Sequence, residues 1–193
     1  MTGRIRVGRR GGRVAVVMAM AAYVAGLMIA AAPPGQSFGG SCNGRLSTVG
    51  LDASHEKGPV FIVGSDKNDV IIGSKGDDTI DGGLGDDTIC AGSGADDVFG
   101  GPVDAGVKPD NDTIFGERGD DTLRGGDGDD LVIGGKGNDN MVGGFGEDKL
   151  LGGAGHDILH GVEDPAEPDD LKGGDGKNLC FADAMDDPDD CKY

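Results

Sequence analysis

Tryptophan is missing from this chain, and aromatic residues make up only 4% of its 193 residues. So few large apolar side chains cannot fill a conventional globular core. Cysteine occurs four times and no pair has C-x-x-C spacing, which argues against a thiolate zinc site. The three histidines, His55, His156 and His160, are scattered, and His156 and His160 fall at positions that read as solvated surface. No Ser-His-Asp, Cys-His or H-E-x-x-H arrangement is present, so nucleophilic and metal-hydrolytic chemistry has no residues to run on. Positive charge is also short: 17 Lys and Arg stand against 35 Asp and Glu, a net charge of -18. That balance disfavours nucleic acid and anionic membrane surfaces as partners and favours cations.

Glycine and aspartate are what the chain has in plenty, with 40 Gly. Two architectures fit this composition. One is a disordered acidic chain. The other is a repeat fold in which small apolar residues and bound metal replace a large core. Fixed register separates them, because disorder does not require it. The available ligands are carboxylates and backbone carbonyls. Oxygen-only ligands select hard cations, and Ca²⁺ suits a flexible many-oxygen site better than Mg²⁺.

The N-terminus reads as an export signal. Arg4, Arg6, Arg9, Arg10 and Arg13 precede an apolar run from Val14 to Ala32, and small residues lead into Pro33 and Pro34. Residues 1–37 are expected to be a signal peptide, with cleavage after Ala32 or near Gly35 to Ser37. The alternative is an uncleaved anchor, since a run of about 19 residues can span a bilayer. Either way, the positive-inside rule places the rest outside the cytoplasm. Residues 38–63 then read as an N-terminal cap segment.

From Gly64 the sequence repeats every nine residues as G-G-x-G-x-D-x-U-x, with U a large apolar residue; Gly82 to Cys90 is the clearest unit. Full units recur at Gly125, Gly134, Gly143 and Gly152, and Gly73 and Gly116 open units with a substituted second Gly. Insertions containing Pro102 and Pro109, and Pro165 and Pro168, interrupt two units. The sixth position reads Asp69, Asp78, Asp87, Asp96, Asp112, Asp121, Asp130, Asp139, Asp148, Asp157, Asp169 and finally Asn178. The eighth reads Ile71, Ile80, Ile89, Val98, Ile114, Leu123, Val132, Met141, Leu150, Leu159, Leu171 and Cys180. Glycines allow a sharp turn at φ > 0. The Asp adds a carboxylate to that turn. In the next three residues only the central one faces inward, since strand side chains alternate.

These residues resemble the haemolysin-type RTX calcium-binding repeat family. The resemblance spans roughly Gly64 to Phe181. It implies an all-β fold, a right-handed parallel β-roll of about twelve nonapeptide half-coils. It implies several Ca²⁺ ions between stacked turns, held by turn carbonyls and the sixth-position Asp residues from Asp69 to Asp169. Each ion would be shared by Asp residues two units apart, as Asp78 with Asp96 or Asp130 with Asp148. The flanks, with Cys42-Asn43-Gly44-Arg45, Cys90 inside an early repeat and a tail from Cys180 to Cys191, resemble a smaller group of bacterial exported calcium-binding proteins.

Four cysteines beyond an export signal can pair in three ways. Spacing along the stack favours Cys42–Cys90 and Cys180–Cys191, pinning each end of the roll. Residues 182–193 are expected to fold back over the open end as a cap, with the Asn178 unit as the point where the roll stops. The function expected is non-catalytic extracellular calcium binding by a monomer. A calcium-dependent adhesion or protein-binding module, using the loop from Pro102 to Asp110, is the second reading. A toxin or exoenzyme fragment is the third. About 25 residues between the signal and Gly64 are too few for a catalytic domain.

Overall fold

Parallel pairing dominates the molecule. In the computed structural model the described residues are 27–28, 41–42, 45–46, 51–52, 57–103, 110–161, 167–189 and 191. Apart from Leu27–Met28, the expected signal segment 1–37 lies outside them. So do His55, residues 104–109 of the first insertion and residues 162–166 of the second.

Two eight-stranded sheets form a parallel solenoid of about six turns. The first sheet runs Leu27–Met28, Val60–Val63, Thr79–Asp81, Asp97–Phe99, Thr122–Asp127, Asn140–Phe145, Ile158–His160, Leu179–Phe181. The second runs Leu51–Asp52, Val70–Ile72, Thr88–Ser93, Thr113–Arg118, Leu131–Lys136, Lys149–Gly155, Asp170–Gly176, Asp187–Asp189. Successive strands alternate between the sheets, so two nonapeptides complete one coil. Ser41–Cys42 and Arg45–Leu46 form a separate antiparallel pair.

Every eighth-position residue from Ile71 to Leu171 is fully buried, and Cys180 nearly so. They join Val60 and Ile62 in a single core between the sheets. The sequence pattern starts the roll at Gly64. Three strands extend it further back, Val60–Val63, Leu51–Asp52 and Leu27–Met28; Val60–Val63 alternates in burial, with Ile62 paired to Ile80. Several strands are six or seven residues long rather than three. Pairing continues through the glycines, as in Glu117↔Gly92 and Gly135↔Gly153, because residues without Cβ let neighbouring coils approach closely.

The insertions are looped out without disturbing the ladder. Thr113 pairs with Thr88 and Asp170 with Lys149, so register returns after each.

Both disulfides form as paired in the sequence reading, Cys42–Cys90 and Cys180–Cys191. The second pins an end, joining the last strand of the first sheet to the tail, and the first does not. Cys90 points outward, so Cys42–Cys90 packs with Val70, Ile72 and Phe115 on the outer face of the second sheet. The C-terminal tail does not fold back over the open end. It continues the winding: Asp187–Asp189 pairs in parallel with Asp170–Lys172, and Cys191 bridges to Asn178. Cys180 lies in the core with Cys191 against it. The Asn178 unit is therefore not the last strand of the solenoid.

Closing a loop this short contributes about 3 kcal/mol or less. Changing Cys180 and Cys191 together to Ser is expected to release the final strand while leaving the preceding coils wound. Limited proteolysis with mass spectrometry should then show new cleavage after Phe181 and none between Thr113 and Gly155. Protection of the tail in the double variant would show that strand pairing alone retains it.

Candidate metal centre

The eleven sixth-position aspartates are all buried, at 1–3% exposure. Each follows the glycine turn and precedes the strand, so the chain direction sends its carboxylate into the corner of the roll. They stack in two columns. Along one, the amide N–H of Asp69 donates to Oδ1 of Asp87, Asp87 to Asp112, Asp112 to Asp130, Asp130 to Asp148 and Asp148 to Asp169, at 2.7–2.8 Å. Along the other, Val60 donates to Asp78, Asp78 to Asp96, Asp96 to Asp121, Asp121 to Asp139 and Asp139 to Asp157, at 2.7–2.9 Å. Asp157 then donates to Asn178 Oδ1 at 3.0 Å. Residues two units apart, such as Asp78 and Asp96 or Asp130 and Asp148, are thus direct neighbours.

The second oxygen divides the set. Where Ser occupies the second turn position, its amide N–H donates to it: Ser65 to Asp69 Oδ2 at 2.6 Å and Ser74 to Asp78 Oδ2 at 2.5 Å. Ser74 Oγ also donates to Asp78 Oδ1, so both Asp78 oxygens are engaged. Asp69 Oδ1 is left without a partner. In Asp87, Asp96, Asp121, Asp130, Asp139 and Asp157 the buried Oδ2 has no hydrogen-bond donor. The second-position Gly of their turns is at positive φ, as at Gly83 (104°) and Gly126 (134°), and Glu117 adopts the same region at 72°.

The first-position glycine has a different reason to be Gly. A Cβ at Gly116 would lie 2.5 Å from Asp121 Oδ2 and 2.7 Å from the Gly134 carbonyl oxygen. At Gly152 the same atom would lie 2.5 Å from both Asp157 Oδ2 and the Gly173 carbonyl oxygen. A buried carboxylate oxygen that has no donor therefore faces a glycine carbonyl oxygen across one small space. Acceptors facing acceptors in a buried site require a proton or a cation. Among the described residues no three His, Cys, Asp or Glu side chains converge on a point. An ion here would draw most of its oxygens from backbone carbonyls and few from carboxylates. Ca²⁺ accepts six to eight mixed oxygen ligands, so the donor set fits it.

Burial also perturbs the carboxyls. Desolvation, reinforced by carboxylates in adjacent coils, pushes Asp96 up to about 6, Asp121 to about 7, Asp87 to about 8 and Asp130 to about 9. Asp112, raised to about 7, and Asp139, to about 6, follow the same cause. In each, the amide donation from the preceding coil offsets part of the rise.

Two features escaped the repeat template. The amide of Asp169 donates to Asp186 Oδ1 at 3.2 Å, so Asp186 extends the first column from a tail without glycines. Its only sequence signal is the 17-residue step from Asp169. A second, exposed ladder runs through the fifth position. Asn111 N–H donates to Asp86, Asp129 to Asn111, and Glu147 to Asp129; on the other edge Asn138 donates to Asp120, His156 to Asn138, and Lys177 to His156 Nδ1. The recurrence of Asn and Asp at that position was legible. His160 is packed rather than solvated: it stacks on Phe181 at 4.5 Å, and burial lowers its pKa.

An all-β parallel solenoid with carboxylates stacked inside its turns is a β-roll of the cation-site type. The chain belongs to the haemolysin-type RTX family: the family model for the RTX calcium-binding nonapeptide repeat (4 copies) matches residues 63–98, 109–141 and 133–163. No curated protein matches the chain. These repeats fit calcium binding, and the two disulfides fit an oxidising setting.

The raised carboxyls set a pH dependence for the metal-free roll. A wound chain with pKa values of about 6 to 9 binds more protons than the unwound chain, whose Asp groups titrate near 3.8. Its stability is therefore fully present below the unwound value and is lost as pH rises through the 6–9 window. In excess chelator, acidifying from about pH 9 to about pH 5 is expected to increase β signal in circular dichroism. A β signal that falls on acidification would contradict this.

Proposed function

We propose that this chain is an exported, non-catalytic calcium-binding module that winds into its roll when calcium binds. The observation that carries the reading is the partnerless buried Oδ2 of Asp87, Asp121, Asp130, Asp139 and Asp157, each beside a glycine carbonyl oxygen. Several Ca²⁺ ions would be held by the turn carbonyls with Asp69, Asp78, Asp87, Asp96, Asp112, Asp121, Asp130, Asp139, Asp148, Asp157 and Asp169. In this reading, twelve nonapeptide half-coils span Gly64 to Phe181, wound right-handed. Residues 1–37 act as the export signal, and the folded module is a monomer outside the cytoplasm.

Calcium supplies positive charge where the columns concentrate negative charge. In Asp87, Asp121, Asp130, Asp139 and Asp157 the protein's part is to hold the carboxylate by its Oδ1 and leave the other oxygen at the glycine turn. Extracellular sites of this kind bind at about 10⁻⁴–10⁻³ M. At roughly ten times Kd each site stabilises the wound state by about 1.4 kcal/mol, so a set of sites contributes on the order of 10 kcal/mol. A chain dominated by glycine needs a term of that size, because Gly loses more backbone freedom than other residues.

A calcium-dependent protein-binding role is the second reading. It is favoured by apolar side chains left exposed, Phe61 and Val63 on the first sheet and Val103 in the first insertion.

Millimolar calcium is expected to convert a coil-like circular dichroism spectrum at neutral pH to a β spectrum, and chelator to reverse it. An unchanged β spectrum in excess chelator at pH 9 would sink the folding claim. Asp139→Ala, in the uninterrupted block, should lower bound calcium by about two ions in equilibrium dialysis, since a bridging carboxylate serves both neighbours. Unaltered stoichiometry would remove Asp139 from the ligand set.

A further inference from the structure

Away from the aspartate columns, the outer face of the first sheet carries a concave site of about 380 Å³ beside the first insertion. Its lining includes Asp66, Asp81, Leu84, Phe99, Pro102 and Val103. We propose that this pocket binds a cationic side chain, arginine or lysine, presented by a partner protein.

Strand register builds the site. Val63, Asp81, Phe99 and Arg124 stand on four successive strands in direct register. Asp81 is therefore an outward carboxylate between two apolar neighbours. Among the described residues neither Asp66 nor Asp81 makes an ion pair, and the lining holds no basic residue. Phe61 and Val63 are 44% exposed and Val103 is 65% exposed, an unusual amount of apolar surface to leave in water at one corner of an acidic molecule.

The chain already shows which chemistry this face accepts. On the side of Phe99 away from Asp81, the Arg124 guanidinium lies 4.7 Å from the ring centroid and Nη1 donates to Asp97 at 2.9 Å. The aromatic and the carboxylate recur on the Asp81 side without a cation of their own. An incoming guanidinium or ammonium would meet Asp81 and Asp66, and its methylene stem would lie along Leu84, Pro102 and Val103. A bare metal ion would gain nothing from those apolar walls, and an anion would be repelled by both carboxylates. The net charge of -18 steers basic partners toward the molecule at long range, but it is the aromatic and apolar walls that make this site selective.

The test uses the full chain in saturating calcium, with acetyl-arginine amide as probe and its neutral isostere acetyl-citrulline amide as control. Amide NMR shifts are expected at Asp81, Leu84, Phe99 and Val103 with the arginine probe and not with citrulline. Phe99→Ala should weaken binding about three- to fivefold, Asp81→Asn about twofold, and Asp175→Asn, at a distant exposed carboxylate, not at all. Calcium-induced circular dichroism confirms that each variant winds; Asp81→Asn, isosteric and exposed, keeps the test decisive if Phe99→Ala does not. Shifts spread evenly over exposed carboxylates, equal shifts with citrulline, or unchanged affinity in Asp81→Asn would each overturn the proposal. So would competition by added calcium at these same residues, which would identify a further inorganic cation site instead.

Discussion

A carboxylate removed from water and stacked on others of its kind is the constraint on which this molecule depends. Eleven aspartates are 1–3% exposed, and coils along a parallel sheet lie roughly 4.8 Å apart. From Asp78 onward each has one oxygen fixed by an amide of the adjacent coil, which defines where the other can point. Where Ser65 and Ser74 occupy the second turn position, a local N–H answers that oxygen. Further along, glycines at positive φ leave it open. The same corner that winds the chain thus creates a demand for positive charge, and winding and cation uptake become one event.

The exposed ladder on the corners handles the same electrostatic problem by different means. Along one edge Asn68, Asp86, Asn111 and Asp129 follow one another, so charged and neutral side chains alternate down the stack. Each still accepts or donates across coils, and an amide separates the carboxylates as far as Asp129, after which Glu147 follows directly. Alternation suffices in water, where the dielectric is high. Inside the corner, Asp follows Asp from Asp69 to Asp169 without a neutral spacer, and only the last residue of the second column, Asn178, is uncharged.

Much of this was legible from the sequence because one constraint repeats in it. The eighth position marks the core, and the residues from Ile71 to Leu171 are buried there; that Asp residues two units apart are neighbours came from the resemblance to the repeat family. Both cysteine pairings also followed from spacing. The losses came where the repeat template stops. Val60 and Ile62 belong to the core but lie before the first glycine turn. Asp186 joins a column from a segment with no glycine, because strand pairing with Asp170–Lys172 carries the geometry that glycines supply elsewhere. Cys90 staples an outer face rather than an end, since its ninth position points outward. The split between Asp78 and Asp87 turns on a backbone N–H at the second turn position, which a consensus of side chains does not display.

The tail has one more consequence. A solenoid of identical coils has no intrinsic reason to stop, and its terminal strand offers amides and carbonyls to any chain that reaches it. Here the outermost strand of the second sheet is Asp187-Pro188-Asp189. Pro188 brings no amide N–H, and its two neighbours carry charge. The strand can receive the roll on its inner side while presenting a poor template on its outer side. At this edge of the second sheet the chain thereby supplies its own terminator, a strand that gives a further molecule little to pair with.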